Sequence, residues 1–146
     1  MTSADKTTHQ LTLKIRDWLY IDGTMDNDIR RCRDMSNDDE EPSGSYWNAL
    51  ALLGAAIREA GWKQLPDWPD TYEELQRWGN AGKTGAISLT AEQWTLVAAA
   101  LQHGATIDDA IDEPEQAARK RALAAAVRTG LAQQGLNVQA LQGYRS

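Results

Sequence analysis

"LTAEQWTLVAAALQHG", Leu89 to Gly104, carries the clearest structural signature in the chain. Thr90 followed three residues later by Gln93 is a capping box, in which each side chain satisfies a backbone N–H at the start of a helix. Leu89 and Trp94 take the N′ and N4 places of a hydrophobic staple. Trp94, Val97, Ala98 and Leu101 then recur at helical spacing, and His103-Gly104 reads as the stop.

The same logic extends in both directions. Towards the C-terminus, "TIDDAI" reads as a short helical turn. Pro114 opens an Ala-rich helix with Leu123, Val127 and Leu131 as its larger apolar contacts and Gly135 as its stop. "LNVQALQGYRS" reads as a weak terminal helix and tail. Towards the N-terminus, Thr71 and Glu74 make a second capping box for a helix ending at Gly79. Trp47, Leu50, Leu53 and Ile57 make a stripe, with Gly61 as the C′ residue and Trp62 beyond it.

The first 35 residues read as a helical pair. Leu11, Ile15, Trp18 and Leu19 fit one face of a first helix, although the alternation of Leu11, Leu13 and Ile15 equally fits a short strand. Thr24 reads as the N-cap of a second helix, with Met25, Ile29, Cys32 and Met35 facing inward. These elements predict an all-α domain spanning 1–146, a compact bundle of five to seven short helices with a minor β-piece near residues 83–89. Its parts are the helical pair at about 8–35, an acidic mobile loop at 36–45, and a main helical body at 46–146.

Composition narrows the function. Net charge is −6, and residues 1–50 hold ten acids against six bases. Phosphate contacts supply most nucleic-acid affinity, so direct nucleic-acid binding is not expected. A partner with a basic surface is. One cysteine, Cys32, allows no intrachain disulfide, which suits a reducing, cytoplasmic compartment. The polar start has no apolar segment of the kind that opens a signal peptide. The longest apolar run, Ala49–Ile57, is too short for a bilayer, so no membrane partner is expected.

Several motifs offer chemistry and fall short of it. Gly82-Lys83-Thr84 ends like a phosphate-binding loop, but the first glycine of that pattern falls on Arg77, and a capped helix stands where a strand is required. Asp108-Asp109-x-x-Asp112 resembles the magnesium–diphosphate motif of isoprenyl diphosphate synthases over five residues. That family adds a second acidic motif on a large helical bundle, and this chain has no second copy. Asp67 with Asp70 and Asp109 with Asp112 resemble the carboxylate pairs of small all-α nucleotide pyrophosphohydrolases, yet the first pair straddles Pro69. Asp22 to Asp28 places its glycine and its twelfth residue, Arg33, wrongly for a calcium loop. Gly135 to Leu141 resembles part of a helix-turn-helix, without the bases that reading DNA requires. His9, His103 and Cys32 make no catalytic or zinc pattern.

The sequence therefore predicts no catalytic, cofactor or metal residues. It predicts a small non-enzymatic helical protein acting as an adaptor or regulator by macromolecular binding. The partner is another protein, one with a basic surface, or a second copy of the chain. The candidate contacts are Trp68, flanked by prolines and acids in "PDWPD", with Tyr72, and the acids Asp38, Asp39, Glu40 and Glu41. The second reading is an acidic inhibitor, such as mobile elements carry, that occupies the nucleic-acid-binding cleft of a target protein. The third is a small all-α enzyme with a carboxylate metal site.

Overall fold

A strand leads into each of two long helical hairpins. The structure, a computed structural model, describes residues 7–65, 71, 73, 74, 76, 77, 82–138 and 144. The elements are β1 (Thr8–Lys14), α1 (Ile15–Asp38), α2 (Ser43–Gln64), β2 (Thr84–Thr90), α3 (Ala91–Ala110) and α4 (Pro114–Ala132). Glu73, Glu74, Gln76 and Arg77 are also helical, with the Glu74 N–H donating to Thr71 Oγ1 at 3.1 Å. β1 and β2 form a two-stranded sheet. The Ile15 N–H donates to Lys83 O at 2.9 Å, so the end of β1 meets the start of β2 and the strands run antiparallel.

The protein is mostly helical, as its stripes and caps predict. Among the described residues, however, there are four long helices rather than five to seven, besides the helical residues at 73, 74, 76 and 77, because two expected breaks, at Gly23-Thr24 and at His103-Gly104, are helix interior. Leu11 and Leu13 lie in β1, as the alternating reading has it, Ile15 and Trp18 are buried at the start of α1, as the helical one has it, and the minor β-piece is β2. The chain divides into two compact units: Thr12–Ser88, and Met1–Leu11 with Leu89–Ser146.

In the α1/α2 unit, α1 is one helix and not a helical pair. Thr24 does not cap it. The Thr24 hydroxyl donates to the Tyr20 carbonyl four residues back at 3.0 Å, the bond a hydroxyl makes inside a helix. Trp18, Ile21, Met25, Ile29 and Cys32 form its buried stripe. That stripe meets Trp47, Leu50, Ala51, Gly54, Ile57 and Gly61 of α2. Gly61 is not a helix stop either. A Cβ there would lie 2.1 Å from Trp18 Cζ2, so the glycine is the seat of the indole ring. α2 runs one turn further, to Gln64, whose side chain binds the Ser88 backbone in both directions at 2.8 and 2.6 Å.

The expected loop at 36–45 contracts to residues 39–42. Ser36, Asn37 and Asp38 complete α1, and Ser43 opens α2. The turn is closed by short-range bonds: Asp39 N–H to Met35 O at 2.9 Å, Gly44 N–H to Glu40 O at 3.1 Å, and Ser36 Oγ to Gly44 O at 2.8 Å. A Cβ on Gly44 would stand 2.8 Å from Asp39 O, so only glycine lets the two helices approach this closely.

The other unit starts from the predicted capping box. Thr90 N–H donates to Gln93 Oε1 at 2.9 Å and Gln93 N–H to Thr90 Oγ1 at 3.2 Å. Leu89 and Trp94 are fully buried, and the indole N–H donates to His9 O at 2.8 Å. α3 continues past His103-Gly104 and absorbs most of the expected "TIDDAI" turn; a Cβ on Gly104 would stand 2.8 Å from Lys120 Cδ, so the glycine makes room for α4 rather than ending the helix. Pro114 stands in the first turn of α4, as expected. Gly135 takes φ of +82° and the Leu136 N–H returns to Leu131 O at 3.0 Å, a Schellman-like exit.

Candidate interaction surface

Most of the ordered charge that the sequence offered for chemistry is committed inside the hairpins. On α1, Asp22 and Asp26 lie one turn apart and share Arg58 of α2. Arg58 donates to Asp22 through Nε and Nη2 at 3.0 and 3.2 Å, and to Asp26 through Nη1 at 2.9 Å. The hydrogen bonds to Asp22 lead the effects that raise the Arg58 pKa above its ordinary value. The guanidinium also lies 5.2 Å from the centre of the Trp62 ring. This is the planar fork an arginine offers a carboxylate. Asp22 to Asp28 is therefore helix, not a cation loop.

One turn on, buried Asp28 accepts from Arg31 Nη2 at 3.2 Å and from the Cys32 thiol at 3.7 Å. Burial first, then the Asp28 charge, pushes the Cys32 thiol up to about 12. A thiol held protonated is a poor nucleophile. Arg31 in turn stacks 5.0 Å from the Trp47 ring centre, and Tyr46 meets the edge of Trp47 at 5.3 Å.

The D-D-x-x-D acids are tied in the same manner. Asp108 accepts from Lys120 and Asp109 from Arg121, both on α4. Asp112 forms the tight link to α4 with φ of +61°. Among the described residues, no group of three His, Cys, Asp or Glu converges as a metal site would need. Gly82, with φ of +69°, precedes Lys83 and the start of β2, while Arg77 is helical. That order, helix before and strand after, reverses a phosphate loop. Leu136 to Val138 follow Gly135 without helix. His103 packs edge-on to Tyr144, with ring centres 6.0 Å apart.

The surface retains three features. Asp38, Glu40 and Glu41 are exposed and Asp39 is half-buried, on the turn that joins α1 to α2. Glu41 accepts from the Ser45 hydroxyl. Leu52 and Trp62 stand out from α2 at 63% and 46% exposure, and Ile107 and Ile111 from the end of α3 at 44% and 63%. Trp68 and Tyr72, the expected aromatic contacts, lie outside the described residues, as do Asp67 and Asp70. No helix among the described residues is long and apolar enough to cross a membrane.

Sequence reading missed the Arg58 clasp and the exposure of Leu52. Both had a signal. Aspartates at i and i+4 present one carboxylate pair to a facing base. From Pro42 to Ile57 the chain has no charged residue, so a helix there must turn some apolar surface outward. Compared with protein-family models, curated proteins and solved structures, the chain matches none.

Proposed function

We propose that the protein is a helical adaptor or regulator that binds another protein bearing a basic surface. Its contact is the acidic turn 38–41, with Trp68 and Tyr72 as aromatic contacts. One observation carries the reading. Asp38, Asp39, Glu40 and Glu41 cluster at one helix junction and three of them are exposed, whereas Asp22, Asp28 and Asp108 are buried beside bases of their own hairpin. The junction is held by backbone and side-chain bonds, so the acids are displayed from a fixed frame. Charges placed in this way steer encounter and register more than they add affinity.

The second reading, an acidic inhibitor of a nucleic-acid-binding cleft, is favoured by the distribution of charge. Thr12–Ser88 holds fourteen acids and nine bases, net −5, against −1 for the rest of the chain. Affinity capture from host lysate at two salt concentrations, with the bound protein identified by mass spectrometry, tests both. A basic partner recovered at low salt, lost at high salt, and lost when Asp38, Asp39, Glu40 and Glu41 are neutralised supports the turn as the contact. Nucleic acid competing for that partner points to the inhibitor.

A further inference from the structure

The outward face of α2 breaks the rule that a surface helix carries charge opposite its buried stripe. While Trp47, Leu50, Gly54 and Ile57 face α1, the opposite side presents Ala49, Leu52 and Ala56, all exposed. Charge returns to this side only at its C-terminal end, as the Glu59–Lys63 pair, whose side chains are 66% and 73% exposed. At the other end stands the acidic turn. The face is apolar in its middle, negative beyond one end, and ends at the other in the exposed Glu59–Lys63 pair, with Lys63 outermost.

We infer that two copies of this chain pair through this face of α2, antiparallel, with Leu52 of each copy seated over Ala56 of the other. The arrangement is self-complementary about an axis near Gly54, as a two-fold interface requires. The exposed Leu52 covers the smallest available side chain twice. The same register sets Lys63 of one copy opposite Ser45 of the other, beside the Glu41 carboxylate that Ser45 already engages. Charge also chooses the direction. Parallel helices would bring two acidic turns together. Antiparallel helices hold them roughly 40 Å apart at 1.5 Å per residue, several screening lengths at physiological salt. The pairing needs no foreign partner and stands whether or not the turn docks on a basic surface.

Sedimentation equilibrium of the full chain, from about 10 to 200 µM, reads the pairing directly. The expected result is a monomer–dimer equilibrium for the wild type and a monomer throughout for Leu52→Glu, with unchanged circular dichroism. A wild type that stays monomeric, or a Leu52→Glu variant that dimerises equally well, overturns the inference. Orientation has its own test. Ser45→Cys and Lys63→Cys variants, mixed and oxidised, should cross-link to one another. Each should fail to cross-link alone, because the register holds the two copies of either position about 27 Å apart at 1.5 Å per residue, and the buried Cys32 offers no other partner. Self-cross-linking of either single variant without the mixed product contradicts the antiparallel arrangement.

Discussion

The two hairpins solve the same packing problem with different chemistry. Between α1 and α2, indole rings fill the interface and glycines make room for them: Trp18 lies on Gly61, and Gly54 admits Ile29 and Met25. Between α3 and α4, much of the interior is alanine, with Ala98, Ala105, Ala117 and Ala124 buried. There the glycine at 104 faces a flexible lysine stem rather than a ring. Ion pairs run from acids on the first helix to bases on the second in both, and each hairpin has a deep pair and a shallower one. Asp22–Arg58 and Asp108–Lys120 are largely buried, whereas Asp26 and Asp109 are more exposed. Rigid ring-on-glycine contact makes the first interface intolerant of change, and small-residue packing makes the second more forgiving.

The largest stability effect is expected at the one indole of the α3/α4 unit. Trp94→Ala removes a fully buried ring and its bond to His9, and should cost about 3–5 kcal/mol in urea unfolding. Next comes a matched pair of substitutions. Gly61→Ala drives a methyl into the Trp18 ring and should cost about 1–3 kcal/mol. Gly104→Ala meets only the Lys120 stem, whose methylenes can shift by a few tenths of an ångström while the ammonium stays on Asp108, so the gain in helix propensity of up to about 1 kcal/mol should offset much of the contact. Equal losses at the two glycines would abolish the contrast between the interfaces. Arg58→Met leaves Asp22 without its fork. It should destabilise by about 1–2 kcal/mol, at the low end for charged hydrogen bonds because the pair is partly solvated.

Gly23→Ala sharpens the same contrast from the other side. Nothing lies within 4 Å of a Cβ at that position, which is interior to α1. The substitution should therefore stabilise the protein, by about 0.5–1 kcal/mol. A loss would mean that the chain breaks at Gly23-Thr24 after all.

These glycines also mark where the sequence could be read and where it could not. Thr90 with Gln93, Pro114 and Gly135 act within a few residues of themselves, so their roles are visible in local spacing. Gly61 and Gly104 look locally identical to Gly135. Their role is set by Trp18 and Lys120, far away in sequence, and no local rule distinguishes a helix stop from a seat for a distant ring. Thr24 failed for a related reason: a hydroxyl serves a cap or the carbonyl four residues back, and the buried stripe on both sides of it decides. At the surface, the acids at 38–41 were legible as a charged segment. That Asp38 closes α1 and the other three lie in a tight turn of four residues, 39–42, depends on Ser36 and Gly44 meeting across it. The exposure of Leu52 in particular is not legible locally, because helical periodicity identifies the buried stripe and does not say what covers the opposite side.

The central functional claim is that the α1–α2 turn acts by charge from a fixed frame. Surface plasmon resonance of the captured partner tests it most directly. The wild type is compared with the variant carrying Asp38→Asn, Asp39→Asn, Glu40→Gln and Glu41→Gln, at low and high salt. Exposed charges contribute little to folding, so the variant should unfold at nearly the wild-type denaturant concentration. The account predicts that it associates several-fold more slowly at low salt, and that the difference closes at high salt. Association at the wild-type rate at low salt would contradict it and leave the turn as a connection between two helices.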